Sequence, residues 1–292
     1  MKEIFPGIFL ETAYPPYNLV LIDTDRGAIA VDIPPRPVHA VNWLEQARSA
    51  LGRIRYAVMT DASPERQMAT AFWDVPIVAT ETTLRLMQAY DEDRERRAFV
   101  EDLAARYEDE LSLIENVEPH KPMLAFDDVL RVYTGGGYVE MSSIEGGAAP
   151  GSLWVFVPDQ GVLVTGDTVA VEDPPPLDQT PDSKAWLNTL GVIAHRRSVE
   201  HIVPGRGAAP ITREDIEPQR ELLRVLRRSA RKLARGTSEL SLAETAAELG
   251  DTFFSDQGQI AVRRLQAGLE HLVAEVRNAR DSEDEESEED DD

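Results

Sequence analysis

The chain has 292 residues, of which 42% are hydrophobic and 28% are charged, and it contains no cysteine. This length is enough for one substantial core, and the lack of cysteine excludes disulfides, thiolate zinc sites and cysteine nucleophiles. The formal net charge is −23, and the last twelve residues, DSEDEESEEDDD, contain ten acids and no bases. Because the remaining chain is also acidic, it would repel nucleic-acid phosphates, and we expect no binding to DNA or RNA.

The sequence contains no apolar run near the ~20 residues that a membrane-spanning helix needs. Its N-terminal stretch, MKEIFPGIFLET, lacks the long apolar segment and the small-residue cleavage site of a signal peptide. We therefore expect a soluble, cytoplasmic protein with no membrane span. The acidic tail, residues 281–292, cannot bury apolar surface and is predicted to be disordered. The sequence leaves open whether this tail only confers solubility or docks onto a basic partner.

In the first half of the chain, residues 17–33 (YNLVLIDTDRGAIAVDI) predict two strands joined by a tight turn. A helix is predicted over 36–50, where apolar residues recur at helical spacing. A strand over 56–60, a helix near 65–73 and a strand over 75–79 follow. Residues 81–115 form a charged helical segment, predicted as two helices broken near 91–93. This helical insert is a candidate lid, a candidate dimer surface or a solvated arm.

The second half begins with four short β-branched or aromatic runs, VLRVYTGG, YVEMSSI, GSLWVFVP and GVLVTGDTV, which predict strands. PDSKAWLNTL predicts a helix and VEHIVPG a further strand. Beyond Thr212 the pattern is helical, with segments at 212–235, 241–249 and 258–280. The basic amphipathic stretch LLRVLRRSARKLARG is expected to pack onto the sheets or to mediate self-association, although such a stretch can also touch a membrane surface. Two halves of strands and helices favour sheets inside and helices outside.

These landmarks resemble the metallo-β-lactamase fold superfamily. AVDIPPRP resembles the family's first motif, an aspartate that ends a strand, and YAVMTDASPERQMATAF falls where the family carries Thr-His-x-His-x-Asp-His. GGAAPGSLWVFVPDQGVLVTGDTV resembles the stretch with the third metal histidine and the bridging aspartate, and HIVPGRG resembles the Pro-Gly-His-Gly element. The resemblance implies a four-layer αββα sandwich over residues 1–211, with a helical C-terminal extension at 212–280. Most members of the superfamily use a metal-bound hydroxide to hydrolyse β-lactams, thioesters, phosphoesters or lactones.

The metal ligands of these motifs are replaced in this sequence. No imidazole stands at a motif position, so zinc, which prefers histidine or cysteine ligands in tetrahedral geometry, is not expected. The chain's five histidines lie elsewhere and are expected to have surface or capping roles. With Thr60 aligned to the motif threonine, the histidine positions carry Asp61, Ser63, Arg66, Ala148 and Arg206, the motif aspartate is Glu65, and the bridging aspartate is retained as Asp167.

The charges at these positions suggest what has taken the place of the metal. If the fold brings them together, the carboxylates of Asp61, Glu65 and Asp167 meet the guanidiniums of Arg66 and Arg206. Guanidiniums pair well with carboxylates, so our hypothesis is an internal salt-bridge network in place of the metal centre. The protein would then be a metal-free pseudoenzyme with a binding or regulatory role and no cofactor. The two arginines would either bind a small anionic ligand or only neutralise the buried carboxylates.

Two catalytic alternatives remain open. In the first, a divergent hydrolase of ester, thioester or phosphoester substrates holds Mn²⁺ or Mg²⁺ through Asp61, Glu65 and Asp167, because hard cations prefer oxygen ligands. In the second, Ser63 is a nucleophile without a metal, but no histidine is placed to activate it. Ser63 and Pro64 instead predict a helix start, with the Ser63 side chain as the cap. A homodimer is also left open.

Overall fold

The computed structural model describes residues 1–89, 94–114 and 118–289. Its strands lie within residues 2–80 and 124–207, and helices separate and follow them. The strands are β1 Lys2–Phe5, β2 Ile8–Glu11, β3 Leu19–Ile22, β4 Ala28–Val31, β5 Ile54–Val58, β6 Ile77–Thr80, β7 Leu124–Phe126, β8 Val129–Tyr133, β9 Tyr138–Ser143, β10 Leu153–Val157, β11 Val162–Val164, β12 Ala170–Val171, β13 His201–Val203 and β14 Arg206–Gly207.

Helices α1 to α6 lie between strands along the chain. Helices α7 to α9 follow one another at its C-terminal end. Short 3₁₀ turns at 70–72, 108–110, 158–160, 166–168 and 214–216 connect several elements. The helices are α1 Pro37–Leu51, α2 Pro64–Ala69, α3 Glu81–Ala89, α4 Arg94–Arg106, α5 Leu111–Ile114, α6 Ser183–His195, α7 Glu217–Ala234, α8 Leu242–Phe253 and α9 Gly258–Glu289. None of the helices in the described ranges combines the length and apolar content that a bilayer crossing requires.

The strands form two large sheets and one small one. The first sheet has the order β1-β2-β3-β4-β5-β6-β7, antiparallel from β1 to β4 and parallel from β4 to β7. The second has the order β13-β11-β10-β9-β8, with β11 and β13 parallel. A third sheet pairs β12 with β14 in parallel. Because the carboxyl ends of parallel strands lie at one edge of a sheet, the residues that follow them are brought together.

The two large sheets pack face to face on alternate side chains of their strands. Along β3 and β4, Val20, Ile22, Ile29 and Val31 are buried toward the second sheet, whereas their neighbours face the first layer of helices. This alternation is the period of two that a strand buried on both faces produces. The inter-sheet core contains Ile8, Leu10, Val20, Ile22, Ile29, Val31, Val58, Val78, Phe126, Val139, Met141, Leu153, Val155, Val157, Val162, Val164 and Val203.

Helices cover the outer face of each sheet. Trp43 of α1 and Trp73 are fully buried against the outer face of the first sheet. Helices α6 to α9 cover the second sheet, with Trp186 and Leu265 both fully buried in the same cluster as strand residues. Helix, sheet, sheet and helix layers make the predicted αββα sandwich. The segments predicted as a C-terminal extension belong to the outer helical layer of the second sheet.

Several elements differ from the sequence prediction. The strands β1, β2, β7, β12 and β14 were not predicted, because runs of two to four residues carry too little periodicity to be recognised. The predicted break near 91–93 lies outside the described residues. Helix α9 continues through Glu289, into the segment that we predicted to be disordered. Adding a residue to an existing helix gains a hydrogen bond without a new nucleus, and glutamate has a high helix propensity, so the packed part of α9 favours this continuation.

Close backbone contact between two turns positions the functional edge. Gly205 N donates hydrogen bonds to the carbonyls of Gly166 at 2.8 Å and Val169 at 3.0 Å. A Cβ on Gly205 would lie 2.3 Å from the Gly166 carbonyl carbon and 2.5 Å from Asp167 N. Gly166 itself has φ +54°, and a Cβ there would lie 2.4 Å from Thr60 Oγ1. The turn after β11 and the turn after β13 therefore meet through glycine backbone, which brings Arg206 beside Asp167.

We predict that Gly205→Ala destabilises the fold by about 2–3 kcal/mol, because the new methyl group meets backbone atoms that cannot rotate away. Gly136→Ala is the matched control, since a Cβ there has no atom within 4 Å, and it should change stability by less than about 0.5 kcal/mol. Urea unfolding of the three proteins measures both values. Equal stability of the two variants would show that the turns can separate without cost.

Candidate functional site

The candidate site lies at the edge of the sandwich where strands β4, β5, β11 and β13 end. Asp32 follows β4, Asp61 follows β5, and Arg66 lies on the short helix α2. Asp167 lies in the 3₁₀ turn after β11, and Arg206 begins β14 after β13. Both sheets thus contribute charged side chains to one place, as expected for the carboxyl ends of parallel strands.

Arg66 is the centre of the charged network. Its Nη1 donates to Asp61 Oδ2 at 2.9 Å and to Asp167 Oδ2 at 3.0 Å. Its Nε lies 3.0 Å from Asp32 Oδ1, an ion pair whose angle is too poor for a hydrogen bond. The Arg66 side chain is only 1% exposed. One buried guanidinium therefore joins three carboxylates, from the ends of β4 and β5 in the first sheet and β11 in the second.

Arg206 and Tyr17 complete this network. Arg206 Nη2 donates to the same oxygen, Asp167 Oδ2, at 2.8 Å. The ring of the buried Tyr17 lies next to both guanidiniums, with its centroid 4.2 Å from Arg66 Cζ and 5.2 Å from Arg206 Cζ. These distances are within the range of favourable cation–π contacts. Tyr17 therefore holds two like charges near one carboxylate while shielding them from water.

Other side chains fix the turns that carry the carboxylates. Thr60 donates to Asp32 through its backbone N at 3.0 Å and its hydroxyl at 2.8 Å, and Asp32 has a left-handed φ of 62°. Trp186 Nε1 of α6 donates to the Thr168 carbonyl at 2.9 Å, and Gln219 of α7 contacts the same carbonyl at 3.2 Å. The C-terminal helical layer thus helps to hold the turn that contains Asp167.

The network shifts the pKa values of its two central carboxyls in opposite directions. Burial alone would raise the pKa of Asp167, but Arg206 and Arg66 outweigh it and hold that pKa well below its usual range. Burial raises the pKa of Asp61, and the neighbouring charges of Asp167 and Asp32 raise it further, against the opposing effect of Arg66. Asp167 is therefore the carboxylate whose charge the site stabilises, and Asp61 is the one that accepts a proton most readily.

The start of helix α2 differs from the prediction in one respect. Ser63 is the N-cap residue and Pro64 begins the helix, as expected. The Ser63 side chain does not cap the helix, however; its Oγ lies 3.4 Å from Arg66 Nη1, while its backbone N donates to Asp61 Oδ1 at 2.9 Å. The guanidinium has taken the position next to the hydroxyl that a helix amide would otherwise occupy.

A cavity of about 520 Å³ opens beside this network. Asp61, Ser63, Asp167 and Arg206 line it, and so do the half-buried Glu65 and the buried Ala148. All the predicted pocket residues except Arg66 therefore border one cavity, and Arg66 lies buried behind it. Glu65 forms no ion pair or side-chain hydrogen bond within the described residues, so it is not part of the network that was predicted for it.

The histidines take other roles. His120 Nδ1 is 2.8 Å from the Trp73 carbonyl, His195 Nδ1 is 2.7 Å from the Gly191 carbonyl, and His271 Nε2 is 2.7 Å from the Thr180 carbonyl. His201 stacks on the ring of Phe5. His39 lies near the ring of Tyr14 and borders the cavity. None of these imidazoles contacts the Arg66 network.

The site's donor set does not fit the metal centre of the fold family. It has no imidazole, and the carboxylates of Asp61 and Asp167 that could face an ion are joined by Arg66 Nη1 instead. Over the ranges 1–89, 94–114 and 118–289, no cluster of three or more histidine, aspartate or glutamate side chains has the arrangement of a metal site. A guanidinium in the middle of the carboxylates opposes a cation there.

This architecture, an αββα sandwich with a charged cleft at the edge of both sheets, has clear relatives among solved structures. A metallo-beta-lactamase family protein from Thermus thermophilus matches with a TM-score of 0.64 and 19% identity over 94% of this chain and 95% of that chain. The stereoselective inverting sec-alkylsulfatase Pisa1 from Pseudomonas sp. matches at 0.65 and 17% over 92% of this chain. A metallo-beta-lactamase from Pontibacter korlensis matches at 0.56 and 18%, over 76% and 97% of the two chains.

The chain therefore has the metallo-β-lactamase fold, which confirms the fold that the motifs predicted. It spans about half the length of the sulfatase. Identities below 20% establish the fold and not an activity. No protein-family model and no curated protein matches the sequence.

Two residues of the network were not among the predicted site residues. Asp32 is the aspartate of AVDIPPRP, and its place at the end of a strand beside another motif strand was a usable signal. Tyr17 had no comparable signal, because its sequence context is that of an ordinary apolar residue before β3. Its role follows from the two guanidiniums that the fold places against its ring.

We predict that Asp167→Asn destabilises the protein at pH 7 by about 3–5 kcal/mol, because it leaves Arg66 and Arg206 without their shared charge. Asp61→Asn should cost only about 1–2 kcal/mol, because the buried Asp61 charge is itself unfavourable. Urea unfolding of both variants at one pH compares them directly. A larger loss for Asp61→Asn would contradict the assignment of the stabilised charge to Asp167.

The same shifts predict opposite pH dependences. Because the folded pKa of Asp61 is raised, its contribution is complete below about pH 4 and is lost as the pH rises through the folded value. Asp61→Asn should remove that decline. Because the folded pKa of Asp167 is lowered, its contribution is present above about pH 4 and is lost at more acidic pH, so the cost of Asp167→Asn should shrink on acidification. Stability measured from pH 3 to 8 tests both signs.

Proposed function

We propose that this protein is a metal-free member of the metallo-β-lactamase fold, a pseudoenzyme that binds a ligand in its cleft and does not hydrolyse a substrate. One observation carries the proposal: Arg66 Nη1 donates to Asp61 at 2.9 Å and to Asp167 at 3.0 Å at the same time. A nitrogen cation thus satisfies the two carboxylates that a metal ion would need. The role is regulatory or one of ligand binding.

Electrostatics supports the exclusion of a metal ion. A divalent ion and a guanidinium about 4 Å apart repel each other by roughly 8 kcal/mol at an effective dielectric constant near 20. Arg66 cannot relieve this repulsion by losing its proton, because burial lowers its pKa but Asp167, Asp32 and Asp61 together raise it well above the usual value. It also has no room to turn outward, since its side chain is 1% exposed and is packed against Tyr17.

Metal-independent hydrolysis has no support in the described residues. A serine nucleophile needs a base within hydrogen-bond reach. Ser63 Oγ has Arg66 Nη1 at 3.4 Å, and a guanidinium donates protons but does not accept them. Asp61 accepts from the Ser63 backbone N at 2.9 Å, and the Ser63 side chain lies close enough to oppose in part the rise that burial causes in the pKa of Asp61. Because Asp61 also accepts from Arg66 Nη1 at 2.9 Å, we assign it to holding the turn and not to activating the hydroxyl.

A binding role agrees with the shape of the cleft. The cavity of about 520 Å³ is within the usual size of small-molecule sites, and rigid proline and aromatic side chains form much of its wall. The salt-bridge network forms its floor and gives that floor a fixed geometry. The protein therefore keeps a preformed pocket at the place where the fold normally carries its chemistry.

We predict that the purified protein binds no stoichiometric metal. Equilibrium dialysis against Zn²⁺, Mn²⁺ and Mg²⁺, followed by elemental analysis, should recover less than about 0.1 ion per chain because of the repulsion by Arg66. A panel of ester, thioester, phosphoester and β-lactam substrates should show no turnover, with or without added Mn²⁺.

A rebuilt motif is the positive control. The combined substitutions Asp61→His, Ser63→His, Glu65→Asp, Arg66→His, Ala148→His and Arg206→His return the family's ligand types and should create saturable Zn²⁺ binding. If the natural protein instead binds one Mn²⁺ or Zn²⁺ that is lost in Asp167→Asn, the proposal is wrong. The alternative of a hydrolase with a carboxylate-based metal site at Asp61, Glu65 and Asp167 then replaces it.

A further inference from the structure

The guanidiniums that border the cavity are already paired with carboxylates. Arg206 donates to Asp167 at 2.8 Å, and Arg36 Nε lies 2.6 Å from Glu110. The other two are paired as well, Arg106 with Asp102 through Nε at 3.0 Å and Arg264 with Asp173 at 2.8 Å. The positive charge around the cavity is therefore neutralised by the protein's own acids.

Negative charge at the same cavity is not neutralised in this way. Glu65 and Asp178 both line it, and neither forms an ion pair or a side-chain hydrogen bond with a described residue. Asp167, which is 2% exposed, also borders the cavity, and its Oδ1 has no hydrogen-bond partner in the described part of the chain. The buried Nε of Arg206 also has no hydrogen-bond partner there, so what distinguishes this wall is an excess of negative charge and not a lack of donors.

We propose that the cavity binds a ligand that carries a protonated amine, an amidine or a guanidine, and that Glu65 and Asp178 are the residues that contact this positive group. This inference rests on the proposed function, because a metal ion at Asp61 and Asp167 would satisfy the same region of negative charge. It reverses the sign of the ligand that the sequence predicted, which was a small anion held by Arg66 and Arg206.

The balance of charge around the cavity agrees with this sign. Carboxylates outnumber guanidiniums among the lining residues and their ion-pair partners. His39, which also lines the cavity, adds no positive charge at neutral pH, because burial and the nearby Arg36 lower its pKa. The acids are Asp32, Asp61, Glu65, Asp102, Glu110, Asp167, Asp173 and Asp178, and the bases are Arg36, Arg66, Arg106, Arg206 and Arg264.

An anion could reach N–H groups of Arg206 that the ion pair leaves unused, but it would then lie beside the negative charge of Asp167, which Arg206 Nη2 contacts at 2.8 Å. Arg66 is behind the cavity wall and shares its Nη1 between two carboxylates. Releasing Arg206 would leave Asp167 buried with only one of its two cations. A cation meets no such repulsion, because Glu65 and Asp178 line the cavity without charge partners among the described residues.

The rest of the wall describes the body of the ligand. Pro15, Pro16 and Pro35 line one part of the cavity, and the run at 174–176 lines another. Tyr17 and Tyr107 add aromatic surface. Prolines and aromatic rings are rigid and mainly apolar, so they favour a hydrocarbon or aromatic body next to the charged group.

Calorimetric titration with matched probes tests the proposal. The cationic probes are benzylamine, benzamidine, putrescine and spermidine; the neutral match is benzyl alcohol; and the anions are benzoate, succinate and inorganic phosphate. At pH 7 and low salt, at least one cationic probe should bind saturably, and no anion or neutral match should bind as tightly. Glu65→Gln and Asp178→Asn should each weaken that binding by about tenfold, the usual effect of losing a hydrogen bond to a charged group.

Glu45→Gln is the matched control variant, because Glu45 is exposed on α1 and has no ion-pair partner in the described residues. It should leave the affinity unchanged, which separates a contact in the cavity from a change in overall charge. Equal melting temperatures of the Glu65→Gln, Asp178→Asn and natural proteins would show that the loss of binding is not a loss of folding.

Three results would overturn the inference: no saturable binding of any cationic probe, tighter binding of an anion, or unchanged affinity in the Glu65→Gln, Asp178→Asn double variant. Elemental analysis of the same samples distinguishes this failure from failure of the proposed function. Metal-free protein that binds no cation contradicts only the ligand class. Protein with a stoichiometric metal ion contradicts the proposed function as well.

Discussion

A single buried guanidinium organises the functional edge of this protein. Arg66 contacts Asp32, Asp61 and Asp167, which come from three different strand ends in both sheets. Without a cation between them, three carboxylates within a few ångströms of one another and away from water would repel strongly. With it, the same carboxylates join the sheets at an edge where backbone hydrogen bonds also connect them, from Leu153 N to the Thr60 carbonyl and from Asn18 N to the Gly205 carbonyl, both at 2.8 Å. The charge of Arg66 thus acts as a structural link between the two halves of the fold.

Two features reduce the electrostatic cost of burying three carboxylates and two guanidiniums together. Asp167 contacts two guanidiniums, which compensate its negative charge and lower its pKa. The pKa of Asp61 is raised, so Asp61 is protonated more easily than Asp167. Tyr17 places the face of its ring against both cations, and this reduces the cost of holding them close together. Buried ion pairs are not strongly stabilising in general, but removing one partner is costly. A single substitution in the network is therefore expected to cost more free energy of unfolding than the intact network contributes.

Much of the fold could be predicted because strand and helix periods are present in local sequence. The hairpin at 17–33, helix α1 and strands β8 to β11 each carry a clear pattern. The motif spacing placed Asp61, Asp167 and Arg206 after strand ends and Arg66 on the helix that follows Asp61. The details that depend on packing between distant segments could not be predicted in this way. Examples are the ring of Tyr17 between two arginines, and the Ser63 hydroxyl beside Arg66 in place of a helix amide.

The placement of Arg66 behind the cavity wall changes the electrostatics of the cleft. A metal ion presents positive charge to the cavity and so suits anionic substrates. A guanidinium in the floor directs its charge inward, to Asp61 and Asp167, and Arg206 is paired with Asp167 too. The charged groups that line the cavity without a charge partner among the described residues are then the carboxylates of Glu65 and Asp178. Under the proposed function, a guanidinium in the place of the ion would therefore have a second consequence, because it would also reverse the charge of the ligand that we propose for this cleft.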